Sequence, residues 1–202
     1  AIFGLHNYPG LPTGNIAVRA NTLLAGMTFF DIVLTGKGGH ASMPQVCIDP
    51  IVLAAQLINQ LQTIISRAVA SDELAVLSIT KVHGGDAYNV IPDQVSLSGS
   101  LRFNSTDTQQ KMIKLIEQQV SGLAQSIGAQ GEVNIVHSVP PTINSEAEAK
   151  HVYQTAIKCL GESRVTWLEN SHPGTEDFSF FLQQRPGCYF FVGNGEDSEK
   201  LH

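Results

Sequence analysis

The chain has 202 residues, 43% hydrophobic and only 15% charged, enough apolar side chain to bury a core in one or two domains. That balance excludes intrinsic disorder, and a formal net charge of -6 excludes a nucleic-acid binder that tracks phosphates with a basic face. No apolar run reaches the ~18 residues of a membrane span, because Asp31, Gln56, Asn59 and Gln62 interrupt the best candidates. The start lacks a basic n-region and a cleavage site, and Cys47, Cys159 and Cys188 form no CxxC pair, so a cytoplasmic chain with free thiols is expected.

In chain order, an apolar opening leads through His6 into Asn7-Tyr8-Pro9-Gly10-Leu11-Pro12, a rigid loop after what reads as a buried strand. Phe30, Ile32 and Leu34 alternate with Asp31 and Thr35, predicting a strand that ends at Gly36-Lys37-Gly38-Gly39. Asp49-Pro50 supplies an N-cap and a first-turn proline, and Ala54, Ile58, Leu61 and Ile65 follow at helical spacing, flanked by Leu57 and Ile64. A strand is predicted over 74–82, ending at Gly84-Gly85-Asp86. Another is predicted over 94–103, where Val95, Leu97, Leu101 and Phe103 oppose Ser96, Ser98, Ser100 and Arg102. Thr106-Asp107 opens a second helix with Met112, Ile116, Val120, Leu123 and Ile127 on one face, stopped by Gly128, and 132–136 is a short strand.

The order β-α-β-β-α-β over residues 27–137 predicts a ferredoxin-like unit, two helices covering one face of a four-stranded antiparallel sheet. The ends of such a unit emerge close together, so it reads as an insert between residues 1–26 and 138–202, two pieces of one α/β domain. In the second piece a helix spans 146–160, a short strand lies near 165–167, and another helix begins around Glu176. The apolar run 188–192 predicts a strand buried on both faces, followed by a Gly193-Asn194-Gly195 loop where α/β sheets hold ligands.

Several side chains carry possible chemistry. His6, at a strand end before a rigid loop, can ligate a metal or hydrogen-bond the loop backbone. His40, at the tip of a glycine-rich turn that is not a Walker A loop, can donate to a developing oxyanion or be simply solvated. Asn89 can orient a substrate amide or cap its turn, and Arg102, on an otherwise uncharged strand face, can clamp a carboxylate or pair with a surface acid. Glu176 and Asp177 fit a helix first turn, where the dipole and capping suffice, or can serve catalysis.

The segments Gly4-Leu5-His6-Asn7-Tyr8-Pro9-Gly10-Leu11-Pro12, Gly36-Lys37-Gly38-Gly39-His40-Ala41, Asn89-Val90-Ile91-Pro92-Asp93, Glu176-Asp177-Phe178 and Leu201-His202 occur in one order. That ordered set resembles the M20 metallopeptidase family nearly end to end, in particular its amidohydrolase branch of hippurate hydrolases, N-acyl-amino-acid amidohydrolases and auxin-conjugate hydrolases. The resemblance implies a partial α/β metallohydrolase domain interrupted by a ferredoxin-like (βαββαβ) lid that mediates homodimerisation. It implies two divalent ions, manganese or zinc, activating a water against the amide of an N-acyl amino acid. His6 and His202 match metal ligands, and His40 matches the catalytic lid histidine that reaches a partner subunit's site. Asn89 and Arg102 match substrate-binding lid positions, Arg102 for the carboxylate.

The family's Cys-Gly-His-Asp-type segment and its consecutive glutamates have no counterpart here, and Gln45 stands where the branch often has histidine. A catalytic zinc-type site takes about three protein ligands plus water, more than His6 and His202 supply. The expectation is therefore a C-terminal portion of an amidohydrolase, inactive alone with an incomplete metal site. The competing expectation is a non-catalytic dimerisation or ligand-binding module.

Overall fold

The computed structural model describes residues 1–196; His202 lies outside the described residues. The chain divides into two compact units, one comprising Ala1–Gly26 with the segment from Val139 onward, the other Met27–Ser138. The first strands are β1 (Ile2–Tyr8), β2 (Ile16–Val18), β3 (Asn21–Leu24), β4 (Gly26–Thr35) and β5 (Gly39–His40). There follow α1 (Pro50–Thr63), β6 (Ala75–His83), β7 (Val90–Ile91), β8 (Gln94–Phe103), α2 (Thr106–Ser126) and β9 (Gln130–Val139). The last elements are β10 (Thr142–Asn144), α3 (Glu146–Leu160), β11 (Val165–Trp167), α4 (Phe178–Leu182) and β12 (Gly187–Gly193). No helix among the described residues is long and apolar enough to cross a membrane.

In the Met27–Ser138 unit, four strands pair in the order β6-β8-β4-β9, with β6 antiparallel to β8 and a register irregularity between Ile79 and Lys81. Strand alternation sends Phe30, Ile32 and Leu34 of β4 and Leu97, Leu101 and Phe103 of β8 into one core. Leu53, Leu57 and Leu61 of α1 and Met112, Ile116 and Val120 of α2 close it, and all twelve are at most 1% exposed. Each such side chain contributes about 1.5–3 kcal/mol by leaving water. Asp49 caps α1 by accepting from Ile51 N at 2.8 Å and Val52 N at 3.3 Å. The cap of α2 is Ser105, one residue before the expected start, whose Oγ accepts from Thr108 N at 3.1 Å.

The helix faces differ in detail from their expected stripes. On α1 the buried line runs Leu53-Leu57-Leu61, leaving Ile58 and Ile65 half-buried at its flank. On α2 the four-residue step from Met112 through Val120 continues to Ala124, so Leu123 is half-buried and Ile127 is 42% exposed. The final strand of this unit is twice the expected length, at ten residues.

In the other unit, the sheet order is β1-β12-β2-β11, with β12 parallel to β1 and antiparallel to β2, and β11 parallel to β2. A separate ribbon pairs β10 with β3 antiparallel. Because side chains alternate along β12, Tyr189 and Phe191 join Ala17, Leu23 and Leu24 on one side, while Cys188 joins Val18 and the α3 residues Ala149 and Val152 on the other. Burial pushes the Cys188 thiol up to about 12, which leaves it an inert packing group. Asn144 ties the sheet to the ribbon, donating to Arg19 O and Tyr189 O at 2.8 Å each and accepting from Tyr189 N at 2.7 Å. One expectation is corrected: β1, read as a buried strand, is the sheet edge, with Phe3 49% and Leu5 59% exposed, because it pairs with β12 alone among the described strands.

Candidate functional site

In the unit that carries β1, strand alternation puts Gly4, His6 and Tyr8 on one face. Their register partners on β12 are Tyr189, Phe191 and Gly193. His6 is exposed, and its Nδ1–H donates to Asn7 O at 2.6 Å. That bond fixes the tautomer and leaves the Nε2 lone pair unused, so the backbone-bound and metal-ligating readings of His6 are compatible. Tyr8 stacks on Phe191 with centroids 4.5 Å apart and meets the edge of His172 at 5.4 Å.

Beside this face stands Glu176, whose Oε2 accepts the Tyr189 hydroxyl at 2.6 Å and whose Oε1 accepts Phe178 N at 3.4 Å. Burial pushes the Glu176 carboxyl up, but bonds from Tyr189, Asp177 and Phe178 N, with electrostatic attraction toward nearby His6, outweigh it and hold the pKa below the ordinary value. Asp177 moves the other way, held up by its hydrogen bond to Glu176 and by that residue's negative charge. Burial, then Glu176, pushes the Tyr189 hydroxyl up as well. The helix that was expected to begin around Glu176 starts at Phe178, and Asp177, in the cap position, makes no side-chain cap. First-turn capping is only part of the account: Glu176 takes the first helical amide, Phe178 N, and is also bound to a strand on the far side of its loop.

Among the described residues no group of three or more His, Cys, Asp or Glu comes close enough to hold a metal ion. His6 offers one ligand atom, so the described donor set does not make a complete metal centre.

In the Met27–Ser138 unit, two segments that read as plain turns pair with each other. Gly39 and His40 of β5 oppose Ile91 and Val90 of β7, and Ala41 N donates to Asn89 O at 3.0 Å. The base of this ribbon is held by Gly38 N donating to Asp93 Oδ1 at 2.8 Å. His40 and Asn89 thus share one exposed ribbon. His40 Nδ1 accepts from Ser42 N at 3.2 Å and lies 2.7 Å from Ser42 Oγ, so the ring proton sits on Nε2, pointing a donor away from the ribbon. Arg102 is not part of this group. It opposes Val76 near the end of β8, eight residues beyond Gln94, about 26 Å along the strand from the end where the ribbon attaches.

The M20 peptidase dimerisation domain matches residues 23–126. The chain belongs to the M20 peptidase family. It is 38% identical over 210 residues to N-acetylcysteine deacetylase of Bacillus subtilis, covering all of this chain and 52% of that protein. It is 35% identical over 201 residues to IAA-amino acid hydrolase ILR1-like 2 of Arabidopsis thaliana, covering 98% of this chain and 45% of that one. Among solved structures, a Bacillus subtilis dinuclear metal-binding peptidase of the M20 family matches with a TM-score of 0.81 at 31% identity, covering 100% of this chain and 49% of that chain. This M20 chain spans about half the length of the curated relatives it matches, and its mixed α/β fold is that of M20 peptidase structures.

Tyr8, His172 and Tyr189 were not singled out by sequence reasoning. Period-two alternation from His6 points to Tyr8, but the Glu176–Tyr189 bond joins residues 13 apart across a loop and a helix and has no local signature.

Proposed function

We propose that this M20 chain serves a metal-dependent amidohydrolase that cleaves the amide bond of N-acyl amino acids, hippurate-like compounds among them. The observation that carries the reading is the His40–Asn89 ribbon, which presents a neutral Nε2–H donor beside a carboxamide. In this reading His40 of one copy donates to the scissile carbonyl oxygen in the site of a second copy as negative charge develops there. Such a donor is worth about 3–4 kcal/mol of transition-state stabilisation. Asn89 holds the substrate amide, and Arg102 forms a bidentate pair with the carboxylate of the amino-acid half.

The spacing within the lid supports a two-chain site. A small N-acyl amino acid cannot bridge about 26 Å of strand, so the His40 and Arg102 of one chain serve different substrate molecules. Residues 27–137 are assigned as the ferredoxin-like lid and dimerisation domain, supported by their β-α-β-β-α-β order and the strand sequence β6-β8-β4-β9. The remainder, residues 1–26 and from 138 on, is assigned to the catalytic α/β domain. His6 and His202 are assigned as two ligands of a dinuclear manganese or zinc site, whose other ligands are not among the described residues.

The test is amine release from N-acetyl, N-benzoyl and indoleacetyl amino acids by a purified protein that carries this chain together with the remaining metal ligands, with manganese or zinc added, alongside sedimentation to fix the oligomeric state; the 202-residue chain by itself is expected to release none. Metal-dependent release by a dimer is expected, with His40→Ala lowering kcat by about 10²–10³-fold and changing KM little. A dimer that releases no amine above the metal-only blank would make the chain a non-catalytic dimerisation module. An unchanged kcat in His40→Ala removes His40 from the chemistry.

A further inference from the structure

We infer that His172 is a positioning residue for the His6 side of the site: its neutral imidazole latches the turn at residues 174–176 through Gly174 N–H, and protonation of the ring releases that turn. The inference rests on the reading that this face carries the amide chemistry.

The backbone of His172 is fixed before its side chain acts. His172 N donates to Leu23 O at 2.8 Å, its carbonyl accepts Ala25 N at 3.0 Å, and it bridges Leu24 in parallel. The ring is wedged edge-on against Tyr8 at 5.4 Å and against Phe191 at 6.2 Å. Its Nδ1 accepts the Gly174 N–H at 3.0 Å. This is the side-chain-to-backbone bond, two residues on, that Asn and Asp use to set turns. Pro173 has no N–H, so Gly174 supplies the first backbone donor after His172. A ring nitrogen that accepts from an N–H carries no proton; protonation turns it into a donor facing a donor, and the bond is lost.

From Gly174 the chain reaches Glu176 in two residues, and Glu176 takes the Tyr189 hydroxyl. Tyr189 lies opposite Gly4 in the β1–β12 register, two residues before His6. The packing there is tight: a Cβ on Gly4 would stand 2.8 Å from Tyr189 Cδ2 and 3.0 Å from Phe178 Cε2. A shift of the turn is thus transmitted through Glu176 and Tyr189 to the strand that carries His6. The titratable and charged side chains on the elements beside His172 are His6 and Tyr8 on β1, Tyr189 on the Phe191 side of β12, and Glu169, Glu176 and Asp177 in its own segment; of these, Tyr8 meets the ring. Arg19 adds a fixed positive charge, bound to the carbonyls of Leu168 and Glu169, while β3 and α4 carry no charged side chain. Burial moves the ring's pKa below the ordinary histidine value, so the latch is closed at neutral pH.

The test follows the Gly174 amide by hydrogen exchange and NMR in the 202-residue chain. After correction for the intrinsic rate, Gly174 exchange is expected to slow about tenfold, the size of one net hydrogen bond, with the same pH midpoint as the His172 ring. H172N, whose side-chain oxygen accepts at any pH, should keep the protection throughout; H172F, which keeps the ring packing, should lose it at every pH. Protection that ignores the His172 midpoint, or survives in H172F, overturns the latch. In the hydrolysis assay the acid limb of kcat should move to lower pH in H172N with KM unchanged. A latch that titrates while that limb stays put overturns the positioning role and leaves the amide reaction standing. A titrating latch with no hydrolysis by any variant supports the latch and overturns the reaction reading instead.

Discussion

Adding one methyl group at position 38 tests how His40 and Asn89 are held together. A Cβ there would stand 2.5 Å from Ile91 O and 3.0 Å from both Asp93 N and Pro92 C, all backbone atoms that no rotamer change can clear. Ordinary contact begins near 3.4 Å, so in Gly38→Ala the strands β5 and β7 must part by roughly 1 Å. Two bonds stretch with them, Gly38 N to the Asp93 carboxylate at 2.8 Å and Ala41 N to Asn89 O at 3.0 Å. Overpacking of this kind costs about 1–3 kcal/mol. The ribbon contributes nothing to the core built on Phe30, Leu57 and Leu101, so the cost appears as local opening rather than as a large fall in Tm. Hydrogen exchange at the Ala41 amide should quicken by about 10–100-fold, while core amides of β4 and β8 keep their wild-type rates. A displacement near 1 Å of the donor on His40 should also lower kcat by up to about 10²-fold. Wild-type exchange at Ala41 in Gly38→Ala would refute the claim that this ribbon's close approach positions the two side chains.

Other outcomes are expected elsewhere in the chain. Asn144→Ala removes three hydrogen bonds from a residue 2% exposed and should cost about 2–4 kcal/mol, read from urea midpoints; a loss below about 1 kcal/mol would contradict it. Leu101→Ala opens a cavity at a fully buried position of the other unit and should cost about 3 kcal/mol by the same measurement. Tyr189→Phe removes the hydroxyl that helps hold the Glu176 pKa down, so burial should raise that pKa, and stability at pH 7 should fall by about 1–2 kcal/mol. The depressed pKa of Glu176 stabilises the fold above the ordinary glutamate range and is lost as pH falls through it, so the gap between wild type and Tyr189→Phe should close toward pH 4; a constant gap would count against the bond. His172 follows the same sign: buried and neutral, it stabilises the fold above the ordinary histidine pKa, and H172N should lack the part of the acid-side loss that begins as pH falls through about 6.5.

The helices and long strands were legible because their signals are local. Asp49-Pro50 marks a helix start through one side chain and one ring, and the alternation along β8 repeats five times within ten residues. The errors fall where a face has to be chosen between neighbours. Ala124 and Leu123 are both apolar, and which one α2 buries depends on the angle at which the helix meets the sheet. Periodicity alone does not contain that angle. For the candidate site, His6, His40, Asn89 and Arg102 could be named only as residue types; the pairing that brings His40 beside Asn89 and the separation of Arg102 from His40 could not be read.

What the sequence determined by itself is the helices, the longer strands and the family, because alternation, helical spacing, capping and ordered motifs act over a few residues at a time; the short strands β2, β3, β5, β7 and β10 carry too little pattern to be read. What only the tertiary structure decided is how distant segments meet. The pairing of β5 with β7, the exposed edge position of β1 and the Glu176–Tyr189 bond all depend on which strand lies beside which. Those neighbours are chosen by burial of the whole core, a sum over many contacts that no single stretch of sequence carries.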